Sequence, residues 1–209
     1  MRVLAIDTCL DACQAALLDD DKVVFARSEP MHRGHQERLA PMLAEAMEAA
    51  GAGFEDLDRI GVTVGPGSFT GLRVGLAFAK GLAIARGIPC VGIGALEALA
   101  ASAGVQGPVL AAIDARREQL YLQMFKDGRP AEPPRAQLIV DLRAISPTGQ
   151  LTIVGSGAPL MAAVAADARI LPLAAPEPVA IARLAALADP ARAPPQPIYL
   201  RAPDARLPP

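Results

Sequence analysis

Gly-Pro-Gly-Ser-Phe-Thr-Gly-Leu-Arg-Val-Gly, residues 65–75, is the stretch that decides how this chain folds. Before it, in residues 59–64, Ile or Val occupies every second position, a pattern that predicts a strand. After it, residues 72–86 form a Leu- and Ala-rich run with the spacing of a helix. We therefore predict a strand, a glycine-rich turn and a helix whose first N–H groups are capped by Ser68 or Thr70.

The glycines of this turn have two interpretations. A turn that opens a helix can cradle a phosphate, but Gly71 comes one position late for Gly-x-Gly-x-x-Gly and no Lys-Ser/Thr pair follows. In the second interpretation, Gly67, Gly71 and Gly75 recur every fourth residue and lie along one side of the helix. Glycine inside a helix costs roughly 1 kcal/mol relative to alanine, so these positions predict close approach of another backbone. That backbone belongs either to the same chain or to a second subunit.

The composition predicts a globular protein of the cytoplasm. Of its 209 residues 52% are apolar, yet no uncharged apolar run approaches the ~20 residues that a membrane span needs. The run after Arg2 stops at Asp7, too early for a signal-peptide core. Three cysteines without a Cys-x-x-Cys pair argue against a disulfide framework or a thiol redox site. A net charge of -2 and 3% aromatic residues give no sign of a chain that grips RNA alone.

Two parts of the chain open in the same way. Residues 109–114, Val-Leu-Ala-Ala-Ile-Asp, echo residues 3–7, Val-Leu-Ala-Ile-Asp, and a hairpin is predicted after each. This repeat predicts two similar lobes, 1–104 and 105–209, with a tail that can pack back on the first lobe. The other predicted strands are 12–18, 22–27, 59–64, 88–93, 119–125, 138–140, 151–154 and 170–173, and the predicted helices are 35–51, 72–86, 95–103, 158–166 and 179–188.

The strand ends supply the acidic candidates for chemistry. Asp7 and Asp114 each end a predicted strand, where ligands gather in sheet proteins. The competing interpretation, which the missing flanking glycines favour, is that each aspartate only caps a loop. Gly155-Ser156-Gly157 is either a second phosphate turn or, as we favour, a tight connection. The candidate remnant of a nucleotide cleft comprises Asp7, Thr8, Gly65, Gly67, Ser68 and Asp114.

Metal and nucleophile motifs are weak. His32 and His35 stand three residues apart, but a zinc site needs further ligands and none is marked nearby, so we predict no metal site. Neither histidine lies in a recognisable Ser-His-Asp or Cys-His arrangement. The polar cluster after Asp114 is either the solvated end of a hairpin or part of a contact surface; it comprises Arg116, Arg117, Glu118 and Tyr121.

Four segments together resemble the TsaB (YeaZ) family of the bacterial threonylcarbamoyladenosine pathway. They are residues 65–75, Ile6-Asp7-Thr8, Ile113-Asp114-Ala115-Arg116 and Pro197-Ile198-Tyr199-Leu200-Arg201, and the resemblance covers nearly the whole chain. It implies the duplicated actin-like, RNase-H-like fold of the ASKHA superfamily, which sugar kinases and Hsp70 chaperones share. In such an α/β fold, two similar lobes of mixed sheet are flanked by helices.

The resemblance also implies a role. The subunit would be non-catalytic and would act with the catalytic paralogue TsaD and the ATPase TsaE to modify N6 of adenosine 37 in tRNAs reading codons that begin with A. The complex uses ATP and threonylcarbamoyl-AMP, this subunit alone binds no cofactor, and tRNA is reached only through the complex. Asp7-Thr8-Cys9 lacks the glycine of the kinase Asp-x-Gly motif, and the metal-binding histidine pair of TsaD is absent. The alternative is a nucleotide-using enzyme of this fold or a glycoprotease-like hydrolase.

A contact surface for the partner is predicted on helices 35–51 and 70–86. Methionines supply adaptable apolar contact and glycines allow close approach, and the same surface can pair two copies of the chain. Gly75→Leu is accordingly expected to weaken association more than folding. The predicted interface residues are His35, Arg38, Leu39, Met42, Leu43, Met47, Phe69, Thr70, Gly71, Arg73, Val74, Gly75 and Phe78.

Overall fold

A computed structural model describes residues 1–142 and 150–201, which form two lobes, each built on one mixed sheet. In the first sheet the strand order is β3-β2-β1-β4-β5. The central strand β1 runs antiparallel to β2 and parallel to β4, and it is buried on both faces, which explains its unbroken apolar sequence. These strands are β1 (Arg2–Asp7), β2 (Ala12–Asp19), β3 (Lys22–Pro30), β4 (Arg59–Thr63) and β5 (Cys90–Ile93).

The second sheet repeats this plan. Its strands are β6 (Val109–Asp114), β7 (Gln119–Lys126), β8 (Arg129–Pro130), β9 (Arg135–Leu138), β10 (Thr152–Val154) and β11 (Arg169–Leu171). Their order is β11-β10-β6-β7-β8, with β9 also paired to β7. Here β6 takes the place of β1, since it is antiparallel to the next strand and parallel to β10. The prediction of two similar lobes is confirmed.

The helices are shared between the lobes. They are α1 (His35–Ala49), α2 (Phe69–Arg86), α3 (Ala95–Ser102) and α4 (Pro178–Leu187), with 3-10 turns at Phe54–Asp56, Ile139–Asp141 and Ala158–Met161. Helices α1 and α2 pack on the first sheet, whereas α3 packs on β6 and β7 of the second. Helix α4 returns to the first sheet and packs on β1 and β2. The last helix of each half therefore covers the sheet of the other half.

Helix α4 is held closely on the first lobe. Its Ala185 side chain lies against Gly61 of β4, where an added Cβ would come within 2.3 Å of the alanine methyl. Arg59 Nη1 donates to the carbonyl oxygens of Ala185, Ala186 and Ala188 at 2.8–3.0 Å and so caps the carboxyl end of the helix. By packing, α4 belongs to the first lobe, although the predicted boundary placed it within 105–209.

Two predicted elements differ from the structure. The strand predicted at 138–140 is instead the end of β9 followed by a 3-10 turn, because the pairing of β9 ends at Gln119, the first residue of β7. The helix predicted at 158–166 is a single 3-10 turn at Ala158–Met161, since a short Ala-rich run does not hold a helix by propensity alone. No helix among residues 1–142 and 150–201 is long and apolar enough to cross a bilayer.

Candidate functional site: the interlobe cleft and the outer helical face

The glycine-rich turn is anchored on the segment directly after β1. The N–H of Ser68 donates to the carbonyl oxygen of Cys9 at 2.7 Å. Ser68 is also the N-cap of α2, since its Oγ accepts from the N–H of Gly71 at 3.3 Å. Of the two predicted caps, Ser68 is the one that the structure uses.

The glycine stripe of α2 faces the same chain. An added Cβ would lie 2.1 Å from Cys9 O at Gly67, 2.0 Å from Thr8 O at Gly71 and 2.7 Å from Thr8 Oγ1 at Gly75. Thr8 Oγ1 donates to the carbonyl oxygen of Gly71 at 2.7 Å, which ties the two backbones together. The intramolecular interpretation of the stripe is therefore correct. Gly71 and Gly75 are buried, so their assignment to a partner surface is wrong, and Gly75→Leu would damage the fold first.

Asp7 is fully buried beneath the contact between α2 and Thr8, with 0% of its surface exposed. Its Oδ1 accepts from Thr63 Oγ1 at 2.6 Å and from the N–H of Cys9 at 2.9 Å. Its Oδ2 has no hydrogen-bond partner among the described residues. Burial raises the pKa of the Asp7 carboxyl above its usual range, while the bonds from Thr63 and Cys9 and the nearby His35 act in the opposite direction.

Asp114 has a different environment at the equivalent strand end. Its Oδ1 accepts from the N–H of Arg116 at 2.8 Å, and its own N–H donates to Ser156 Oγ at 3.1 Å. Arg116 also approaches Asp11 of the first lobe, with Nη2 at 3.4 Å from Oδ2. Asp114 thus fixes the loop after β6, as the loop-cap interpretation predicts, and stays partly exposed.

Gly155-Ser156-Gly157 forms a tight connection between β10 and the following 3-10 turn. Gly155 has φ 116°, and an added Cβ there would lie 2.2 Å from the carbonyl oxygen of Ala112. At Gly157 an added Cβ would lie 2.8 Å from the Leu120 side chain. Both glycines therefore pack directly on the second sheet, as a tight connection requires.

The segment 193–201 runs across the carboxyl ends of the strands. The N–H of Ile198 donates to Val64 O at 2.7 Å, just beyond β4, and the N–H of Gly92 in β5 donates to Ala193 O at 2.9 Å. Arg201 Nη1 donates to the carbonyl oxygen of Ala115 in the second lobe at 3.1 Å. The tail therefore spans both lobes across the edge at which sheet proteins of this kind hold ligands.

Most of the predicted interface residues of α1 lie in the core. His35, Leu39, Met42, Leu43 and Met47 are at most 8% exposed, so they cannot form a contact surface, and their assignment to one is corrected. Their 3.6-residue periodicity marks the face that packs on the first sheet. Arg38 is held by Glu29 of β3 at 2.6 Å and by Glu45 at 2.9 Å, and it ties α1 to the sheet edge.

Helices α1 and α2 leave a second, outward surface, which we call the outer helical face. Of the predicted residues, Thr70 is exposed on it, and Val74 and Phe78 are half-buried. The sequence reasoning missed its smaller members, although small residues spaced four apart, as at 77 and 81, are the signal that could have identified them. The outer helical face comprises Ala40, Ala44, Thr70, Val74, Ala77, Phe78 and Gly81. Phe69 and Arg73 are exposed nearer to the tail.

Burial shapes the chemistry of the cysteine side chains and of one of the two histidines. Burial raises the pKa of the Cys13 and Cys90 thiols to about 11 and that of Cys9 well above its usual range, which disfavours the nucleophilic thiolate. His35 is buried, whereas His32 is exposed and its Nδ1 lies 3.1 Å from Asp11 Oδ1. Within residues 1–142 and 150–201, no three His, Cys, Asp or Glu side chains are grouped so that they could hold a metal.

Comparison with known proteins identifies the family to which this chain belongs. The family model described as TsaD, tRNA N6-adenosine threonylcarbamoyltransferase, matches residues 28–131. The tRNA threonylcarbamoyladenosine biosynthesis protein TsaB of Escherichia coli is 35% identical over 167 residues, which cover 75% of this chain and 72% of that protein. The chain belongs to the TsaB family. The predicted family, and with it the pathway of tRNA threonylcarbamoyladenosine biosynthesis, is confirmed.

Solved structures agree with the TsaB family and its fold. A Pseudomonas aeruginosa protein, described as uncharacterised and similar to the peptidase YeaZ, superposes with a TM-score of 0.82 at 27% identity, over 96% of this chain and 99% of that one. The activator of the 2-hydroxyisocaproyl-CoA dehydratase from Clostridium difficile, solved with ADPNP, gives a TM-score of 0.52 at 10% identity, over 90% and 93% of the two chains. The latter likeness concerns the fold alone. The prediction of a duplicated actin-like fold is confirmed.

Proposed function

We propose that this protein is a non-catalytic subunit that pairs with TsaD in threonylcarbamoyl transfer to tRNA. The observation that carries the proposal is the complete burial of Asp7 beneath the glycine stripe of α2. A carboxylate that handles a magnesium-bound nucleotide needs open access to the metal and to phosphate oxygens. Here the backbone of α2 occupies the space next to Thr8 and Cys9 that a phosphate would need.

The outer helical face is the proposed site for TsaD. Its small residues, such as Ala77 and Gly81, allow a partner helix to approach closely, while Val74 and Phe78 supply apolar contact. The family model of TsaD matches residues 28–131, a range that includes both α1 and α2. A partner of related sequence carries a related pair of helices, so the two pairs can pack face to face. Without TsaD, the same surface can pair two copies of this chain.

In the proposed complex this subunit supports the activity of TsaD and contributes no cofactor site of its own. TsaE supplies ATPase activity, threonylcarbamoyl-AMP supplies the transferred group, and N6 of adenosine 37 receives it. The proposed location is the cytoplasm, where tRNA and these partners are found together.

The competing function is that of an enzyme, either a nucleotide-using member of the fold or a glycoprotease-like hydrolase. The description of the Pseudomonas aeruginosa neighbour as similar to a peptidase is what raises it. Against it stand the raised thiol pKa values, the buried His35 and the sealed Asp7. None of these groups is in a position to attack or deprotonate a substrate outside the protein.

A leave-one-out reconstitution tests the proposal. Unmodified tRNA, threonine, bicarbonate, ATP, the adenylate-forming enzyme, TsaD and TsaE are combined with and without this protein, and modified adenosine is quantified. We expect modification to disappear when the protein is omitted, and the protein alone to produce no turnover of ATP or of peptide substrates. Full modification in its absence, or turnover by the isolated chain, would contradict the proposal.

A further inference from the structure

The exposed aromatic side chains of the described residues are gathered in one place. Phe69 at the start of α2 is 46% exposed and Tyr199 in the tail is 49% exposed. Their ring centroids lie 5.6 Å apart, and the guanidinium of Arg73 lies 3.7 Å from the centroid of the Phe69 ring. In a chain with 3% aromatic residues, two half-exposed rings in contact are a concentration that the fold itself does not require.

Several arginines lie near these rings, along the junction between the two lobes. Two residues beyond Tyr199, Arg201 binds the carbonyl oxygen of Ala115, beside the exposed Arg116 and Arg117. Arg116 reaches Asp11, which also binds His32, the neighbour of the exposed Arg33. Four arginines thus lie along this junction together with the carboxylates of Asp11, Asp114 and Glu118, and Arg116 is paired with both Asp11 and Asp114.

The loop that presents Arg116 and Arg117 has an unusual backbone. Arg116, Arg117 and Glu118 have φ values of 62°, 53° and 59°, so three consecutive non-glycine residues adopt the left-handed region. Each such residue costs roughly 1 kcal/mol relative to ordinary conformations, and segments of this kind concentrate at functional sites. Arg116 and Arg117 are both exposed residues, and the pairing of Arg116 with Asp11 places this loop at the junction of the lobes.

We propose that these residues form a contact surface for single-stranded RNA, which we call the cleft-mouth patch: Arg33, Phe69, Arg73, Arg116, Arg117 and Tyr199. The inference deepens the proposed function, on which it rests, by giving this subunit direct contact with the unpaired nucleotides of the tRNA. Arginines neutralise phosphates, and exposed rings stack on bases that are not paired. Duplex RNA would not offer its base faces to Phe69 or Tyr199, so a loop is the form of RNA that fits.

The cleft-mouth patch borders the proposed TsaD surface on α2, since Arg73 lies one turn before Ala77. Phe69 and Phe78 are nine residues apart in α2, which is two and a half turns, so they point to opposite sides of the helix. Phe69 lies on the side of the tail, where it contacts Tyr199. The substitutions tested below, at Arg116, Arg117 and Tyr199, lie outside α1 and α2 and leave the residues of the outer helical face unchanged.

The test measures RNA binding by the assembled complex with TsaD, using a labelled unmodified tRNA transcript over a range of salt concentrations. The variants are Arg116→Gln with Arg117→Gln, and Tyr199→Leu. The matched control is Arg169→Gln with Arg183→Gln, which removes two exposed arginines elsewhere, on β11 and α4. Thermal unfolding and size-exclusion chromatography establish that each variant folds and binds TsaD.

We expect the double arginine variant to bind RNA roughly tenfold more weakly at about 0.15 M salt, and its salt slope to fall by about 1.4, since each lost single-strand phosphate contact lowers it by about 0.7. Tyr199→Leu should weaken binding roughly tenfold with little change in slope, because it removes stacking and no charge.

Unchanged RNA affinity in both variants, or an equal loss in the control pair, would overturn the inference. Loss of TsaD binding would overturn it too and would assign the patch to a protein contact. Failure of the proposed function is recognised separately, since the reconstitution would then yield full modification without this protein or the isolated chain would show turnover.

Discussion

Asp7 and Asp114 end equivalent strands of two lobes with the same topology, yet their environments are opposite. Asp7 is sealed under α2, whereas Asp114 is partly exposed and holds a surface arginine. The difference comes from the connection between the two outer parallel strands of each sheet. Between β4 and β5 the first lobe inserts α2, whereas between β10 and β11 the second lobe has only a 3-10 turn. A duplicated fold can therefore lose an open site through one helix that packs too closely to admit a ligand.

The largest expected effect concerns the close packing of α2 against Thr8, which buries Asp7. Gly71→Val should destabilise the protein by about 3 kcal/mol or more, because the added Cβ would meet the Thr8 carbonyl oxygen, which is rigid backbone. In the same helix, Gly81→Ala has nothing within 4 Å of the new Cβ and should stabilise by up to about 1 kcal/mol. Urea denaturation of both variants makes the measurement. Equal effects at the two glycines would show that α2 does not press on β1.

The next prediction concerns the opposite side of α2, which belongs to the outer helical face. Ala77→Arg places a bulky, helix-compatible side chain on the outer helical face and should weaken TsaD association at least roughly tenfold, with little change in stability. Ala101→Arg, an equally exposed alanine of α3, serves as the control. Calorimetric titration with TsaD gives both affinities. Wild-type affinity in Ala77→Arg would remove this face from the interface.

Asp7→Asn probes the buried carboxyl through the pH dependence of stability. Because burial raises the folded-state pKa of Asp7 above 3.8, the folded protein retains a proton that the unfolded chain has lost. Its stabilising effect is present below the unfolded pKa and is lost as the pH rises through the folded pKa. Wild type should therefore lose stability relative to Asp7→Asn as the pH rises above 3.8 and through the raised folded-state pKa. Chemical denaturation across this range measures the difference, and parallel curves would contradict a sealed carboxyl.

Asp114→Asn should have the smallest effect. Its partner Arg116 is largely exposed, and exposed ion pairs contribute about 0.5 kcal/mol or less. The amide retains an oxygen that can accept from the N–H of Arg116, so the loop should keep its shape. Thermal unfolding should shift by no more than about 2 °C in a chain of this size. A loss comparable to that of Gly71→Val would show that the two strand ends are equally important for the fold.

The sequence was informative wherever a pattern had one physical cause. The Ile and Val alternation before Gly65 and the echo between 3–7 and 109–114 predicted the strands and the two lobes, because period and repetition depend on local geometry. The glycine stripe was also visible in the sequence, but its spacing indicates only that some backbone packs closely against the helix. Whether that backbone was Thr8 or a second subunit depends on tertiary packing, which spacing does not encode.

Other features had no local signal at all. The buried stripe of Leu39, Met42 and Met47 looks the same whether it faces a sheet or a partner, so it was assigned to an interface. The exchange of α3 and α4 between lobes, and the contact of Tyr199 with Phe69, depend on residues that are far apart in the sequence. Such contacts depend on the path of the whole chain, and only the structure revealed the cleft-mouth patch.

The most direct test of the sealed cleft is calorimetric titration of the isolated protein with ATP and magnesium. We predict no binding heat for wild type or for Asp7→Asn, because the backbone of α2 fills the space beside Thr8 and Cys9. Tight, magnesium-dependent binding that is lost in Asp7→Asn would contradict the account, since it would require the cleft to open and Asp7 to reach the nucleotide.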